Sequence, residues 1–149
     1  MDLKAAHRLC LAAALLAASS AASAHHSYAM FDQTRSLTVQ GTVHALEWTN
    51  PHIWVWVDVQ DGKGGTATYG FESNAPAELA RFFGWSKRSL TAGDKVTIDY
   101  APLKSGRNGG ALRTLTFADG RVLRTPRSDP QYATGRRPPA ASGGDNEAK

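Results

Sequence analysis

The chain has 149 residues, 42% of them hydrophobic and 20% charged, with a formal net charge of +4. That length suits one small domain and is too short for two ordinary ones. A single cysteine, Cys10, excludes an internal disulfide framework and any cysteine-cluster zinc or iron–sulfur site, and no apolar run reaches the roughly 20 residues of a membrane-spanning helix.

The opening residues carry the pattern of a secretory signal. Lys4 and Arg8 precede or border an apolar stretch, Leu9–Leu16, and Ala22-Ser23-Ala24 supplies the small residues of a cleavage site. Cys10 precedes the apolar core and follows Leu9 rather than a small residue, which excludes a lipoprotein signal. Residues 1–24 are therefore expected to be removed, leaving a mature chain that begins at His25 and contains no cysteine. Such a periplasmic or secreted protein must be held by its core and its hydrogen bonds alone.

Period-two patterning dominates the mature chain. Leu37, Val39, Gly41 and Val43 alternate with polar residues as in a half-buried strand, with Gly41 marking a bulge or sharp bend. In the next strand Ile53, Val55, Val57 and Val59 form one face, and Trp54, Trp56 and Asp58 the other. Asp61-Gly62 and Gly64-Gly65 mark a hairpin into a third strand, Thr66–Glu72. The period then lengthens. Pro76 suits a first helical turn, Glu78 complements its dipole, Leu79, Phe82 and Phe83 share a face, and Gly84 stops the helix. A fourth strand is expected at Lys95–Tyr100 after the Gly93-Asp94 turn. A fifth is expected at Ala111–Phe117 after a glycine-rich loop, with a short extension over Arg121–Thr125.

Three strands, a short helix and two strands is the element order of the oligonucleotide/oligosaccharide-binding (OB) barrel, a small five-stranded Greek-key barrel. The expected fold is thus all-β with one short helix, the alternative being a small antiparallel sandwich or roll. The domain should span residues 25–127. Residues 128–149, with Pro130, Pro138, Pro139 and Ser142-Gly143-Gly144, read as a disordered basic tail.

Charge bears on partners. His25–Gly120 holds nine Lys/Arg and nine Asp/Glu, so the positive excess sits in the last 29 residues. A neutral body offers no basic groove for phosphates, and no nucleic-acid partner is expected. Catalytic patterns are scarce as well. There is no thiol nucleophile after cleavage, no Gly-x-Ser-x-Gly elbow, no phosphate-binding loop and no His-Glu-x-x-His helix. Pairs such as His44/Glu47 or His52/Glu72 could do acid–base work, but spacing singles out neither. The sequence points to binding rather than catalysis.

Two segments could carry that binding. An N-terminal His25 offers its amine and ring nitrogen as a chelate, and His26, His44 or His52 could add a further nitrogen; nitrogen-rich tetragonal geometry favours Cu(II). Met30 is a softer possible ligand. An unliganded, solvated start is the plainer reading. The second segment is Trp48-Thr49-Asn50-Pro51-His52, in which Pro51 holds the preceding residue extended and presents His52 at the start of the second strand. By parity His52 shares a face with Trp54 and Trp56. There it could ligate a metal, stack on a ligand or bond a turn carbonyl. Trp48, Asn50, Trp54 and Trp56 could likewise form a face for a small molecule or glycan, or dock another exported protein. The indoles could equally pack across strands, one ring covering Gly70.

His25-His26-Ser27-Tyr28-Ala29-Met30-Phe31-Asp32 directly after a signal, then Gly41-Thr42-Val43 and Glu47-Trp48-Thr49-Asn50-Pro51-His52, resemble a bacterial exported family, the domain of unknown function numbered 6152. Gly84-Trp85, Gly93-Asp94, Gly109-Gly110 and Asp119-Gly120 fit the same pattern, so the likeness covers about His25–Arg124. It implies a small periplasmic β-rich domain and brings with it no activity, ligand or catalytic residue.

Overall fold

The alternation in the sequence becomes an alternation of faces in the folded chain. In the computed structural model β1 runs Leu37–Glu47, β2 Trp54–Gln60, β3 Thr66–Glu72, β4 Lys95–Pro102, β5 Gly109–Phe117 and β6 Val122–Arg124. An α-helix, α1 (Pro76–Phe83), lies between β3 and β4, and a 3-10 turn, Pro126–Ser128, follows β6. The structure describes residues 29–129 and Tyr132. The expected signal, His25, His26 and most of the expected tail fall outside that range. The chain divides into two compact units, Met1–Phe31 and Asp32–Lys149. Of the first, only residues 29–31 are described, and Met30 is exposed there. The second contains every strand of the described residues.

β1 is long because it serves two neighbours. Leu37–Thr42 pairs antiparallel with Tyr100–Lys95 of β4, and Thr42–Glu47 with Asp58–Trp54 of β2. Gly41 stands at the changeover, where a Cβ would come within 2.5 Å of both the Asp58 carbonyl oxygen and Val57 Cγ1. A residue without a side chain lets β1 press against β2 as it turns away. The register slip itself falls further on, at His44, between Val43 and Ala45.

The Asp61–Gly65 hairpin joins β2 to β3, and β3 then pairs in parallel with the start of β5: Gly70 with Gly109, Phe71 with Gly110, Glu72 with Ala111. That pairing closes five strands in the order β1-β2-β3-β5-β4 and back to β1. The result is a closed barrel of the expected OB-like order rather than a sandwich or roll. A parallel join needs a long crossover, here α1 and β4. It also needs glycines. A Cβ on Gly109 would collide with the Gly70 carbonyl, and one on Gly110 with the Ala101 carbonyl. β5 accordingly begins at Gly109, two residues before the expected strand.

Ile53, Val55, Val57, Phe71, Ile98, Leu112 and Leu115 fill the barrel and are fully buried. α1 has its expected bounds: Pro76 opens it, Leu79 is its buried residue, and Gly84 at φ 71° ends it with its N–H bonded to the Leu79 carbonyl. Trp85 follows, buried, its Nε1 donating to the Arg124 carbonyl oxygen at 2.6 Å. Thr125 is buried beside β5, and its hydroxyl donates to the carbonyls of Leu112 and Arg113 at 2.9 and 3.0 Å. Thr125 and Ser128 then form a reciprocal capping box around the 3-10 turn.

Candidate functional site

The outer face of β2 carries Trp54, Trp56 and Asp58, with His52 one step before the strand. Across the β2–β3 ladder, Trp54 lies opposite Glu72, Trp56 opposite Gly70 and Asp58 opposite Thr68. Parity puts these six residues on one side of the sheet, as the sequence implies for β2. Beyond the ladder the two chains stay together, since Ser73 N–H donates to the Ile53 carbonyl at 3.1 Å and Ile53 N–H to the Asn74 carbonyl at 3.3 Å. This short extension holds His52 beside Glu72.

His52 Nδ1 lies 2.5 Å from Glu72 Oε1, with the His52 side chain 29% exposed and that of Glu72 only 4%. Arg127 of the 3-10 turn reaches the same residue, its Nη1 donating to the Glu72 backbone carbonyl at 3.5 Å. A carboxylate can only accept, so Nδ1 is the donor of this pair and Nε2 is the ring nitrogen that Glu72 does not engage. The ring is thereby fixed in tautomer and orientation, the arrangement in which a histidine serves as a metal ligand or an acceptor toward a ligand. Of the two acid–base pairs the sequence offers, this one forms.

The other does not. The register slip at His44 leaves His44 and Glu47 on the same outer face, Glu47 opposite Trp54, but His44 Nδ1 meets Asp58 Oδ2 at 3.1 Å. Thr68 Oγ1 donates to the other carboxylate oxygen, Asp58 Oδ1, at 2.7 Å. The Thr68 hydroxyl, and after it the His44 imidazole, hold the Asp58 carboxyl below the usual carboxylate range. Thr68 is a partner that sequence reasoning missed. Its signal was the hairpin, whose register sets it opposite Asp58.

Between the two histidine–carboxylate pairs stand the indoles. Trp54 and Trp56 stack with ring centroids 5.5 Å apart and planes 15° from parallel. Trp56 lies over Gly70, where a Cβ would come within 2.6 Å of its Cζ3. Its Nε1 is buried without an acceptor among the described residues. Trp48 is not in this stack; it is half-buried against the hydrophobic core. Asn50, in a cis peptide bond with Pro51, is exposed.

Among the described residues no three His, Cys, Asp or Glu side chains gather into a metal-holding group. His52 is there with its supporting carboxylate, and Met30 is exposed, while His25 and His26 lie outside the described residues. No described helix is long and apolar enough to cross a membrane.

A family model described as "Family of unknown function (DUF6152)" matches residues 13–113. The chain belongs to this family. The matched stretch takes in the whole outer face of β2 and β3 and ends within β5, so every candidate residue of this DUF6152 chain lies inside it. No curated protein and no solved structure matches it.

Proposed function

We propose that this DUF6152 chain is an exported, non-enzymatic binding protein that binds copper, with Nε2 of His52 as one of the nitrogen ligands. The observation that carries this reading is the His52–Glu72 pair. A metal-ligating histidine characteristically donates its second ring N–H to a carboxylate, which fixes the tautomer and raises ligand basicity. A nearly buried glutamate paired with this histidine at the end of a strand fits that role. The remaining donors are those the sequence offers: the amine and ring of His25, the ring of His26, and Met30 as a softer ligand. Nitrogen donors in this number favour Cu(II).

The test is Cu(II) titration of the processed protein, followed by electron paramagnetic resonance. Nitrogen hyperfine structure is expected. His52→Ala should remove one nitrogen coupling, and an extra N-terminal methionine, which displaces the terminal amine, should lower affinity. If both variants bind as the parent does, the reading is wrong. Mass spectrometry of exported protein checks that the mature chain begins at His25.

A second reading is favoured by the half-exposed indole pair. Trp54 and Trp56, with His52, Asn50 and Trp48 around them, would form a face for a small molecule, a glycan or another exported protein. Ligand-induced quenching of tryptophan fluorescence that survives both chelator and deletion of His25-His26 would support it. Quenching that disappears with the metal would not.

A further inference from the structure

β1 parts from β2 at Thr42. Thr42–Asp58 is the last pair of their ladder, whereas β1 runs on along β4 to Leu37 and β2 runs on along β3 to Gln60. A groove of about 490 Å³ lies at this fork, with Gln40, Thr42, Asp58, Gln60, Lys95 and Thr97 in its walls. None of its lining residues is aromatic. It is separate from the His52–Glu72 pair, which does not line it.

The charges at the fork have an unusual arrangement. Thr42 has Asp58 as its neighbour in one adjacent strand and Lys95 in the other, so the three form one cross-strand row. Adjacent strands are about 5 Å apart, which brings the opposite charges close without joining them. Lys95 Nζ donates to Thr42 Oγ1 at 2.6 Å, while Asp58 turns its two oxygens to Thr68 and His44. Both groups have bonding capacity left. An ammonium has three donors and one is used; a carboxylate has about four acceptor positions and two are used.

An ammonium and a carboxylate held apart complement a ligand that carries one of each. A simple anion on Lys95 would have Asp58 beside it as a like charge, and a simple cation on Asp58 would meet Lys95. A neutral polyol would leave both charges unanswered. The remaining walls combine the amides and hydroxyls of Gln40, Gln60 and Thr97 with apolar surface from Val96 and Ala118, which suits a side chain with an aliphatic stem and an uncharged polar end. We infer that the β1–β2 fork is a binding site for a free α-amino acid with a polar, uncharged side chain. Its carboxylate lies on Lys95, its ammonium on Asp58, and its side chain between Gln40, Gln60 and Thr97.

The experiment is an amide-resonance titration of the full mature chain with L-glutamine as probe. Saturable shifts are expected at Gln40, Thr42, Gln60 and Thr97. N-acetyl-L-glutamine, which lacks the ammonium, and L-glutamine amide, which lacks the carboxylate, should each bind at least about tenfold more weakly, as loss of a charge-assisted hydrogen bond requires. L-Leucine should bind more weakly than L-glutamine. Asp58→Asn and Lys95→Gln should each reproduce the loss seen with the matching capped ligand. The capped ligands keep the test independent of whether either variant folds. Absence of saturable shifts at the fork, or equal binding of the capped and free forms, overturns the proposal. Neither result bears on copper, which is read by resonance at a different site.

Discussion

Gly109 at the start of β5 lies directly against Gly70 of β3, with no room for a methyl group between them. This contact is where the barrel closes. Gly109 also holds φ at 111°, a region that residues with a side chain rarely adopt.

Gly109→Ala is therefore expected to lower stability by at least about 2 kcal/mol, from collision and backbone strain together. Gly106→Ala supplies the comparison. Gly106 has φ 75° but open space around it, so it should lose only about 1 kcal/mol. Urea unfolding of both variants checks this, and equal losses would remove Gly109 from its role in closure.

The His52–Glu72 pair predicts a specific split. Glu72→Gln keeps size and shape but replaces the charged acceptor by a neutral amide, so His52 loses its charge-assisted partner. If His52 is a copper ligand, affinity should fall about 10–100-fold, as for other outer-shell substitutions, with the circular dichroism of the fold retained. Affinity that stays unchanged in a folded Glu72→Gln variant would separate His52 from the metal.

The stacked indoles give an optical signal. Two rings 5.5 Å apart and nearly parallel should produce an exciton couplet in the ultraviolet circular dichroism. Trp54→Phe should abolish it. Gly70→Ala should weaken it by pushing the Trp56 ring off its seat, at a stability cost of about 1 kcal/mol from overpacking. A couplet that survives Trp54→Phe comes from elsewhere.

Asp58 predicts the direction of a pH effect. Its carboxyl titrates below the usual carboxylate range in the folded chain because Thr68, and then His44, bond to the charged form. A folded-state value below the unfolded one contributes stability that is present above the unfolded value. That stability is lost as pH falls through the folded value. Thr68→Val should move the Asp58 midpoint upward toward the ordinary range, and by more than His44→Ala does. Carboxyl-carbon resonance titration reads both shifts. A larger effect from His44→Ala would reverse the order of causes.

Much of this protein is written locally in its sequence. The strand of Ile53, Val55, Val57 and Val59, the inward face of Val96, Ile98 and Tyr100, and the helix from Pro76 to Gly84 all follow from side-chain alternation and turn chemistry within a few residues. These features depend only on which neighbours along the chain share a face, so they needed no knowledge of distant segments. The outward placement of Trp54, Trp56 and Asp58 follows for the same reason.

Tertiary structure decided everything that depends on register between strands. It set Glu72 rather than another acid beside His52, and Asp58 rather than Glu47 beside His44. It also set the parting of β1 from β2 at Thr42 and the seating of Gly109 against Gly70. A strand's own pattern says which way each side chain points but not which residue of a remote strand it will face. That choice is made only when the barrel closes and packing over its whole core selects one register among many.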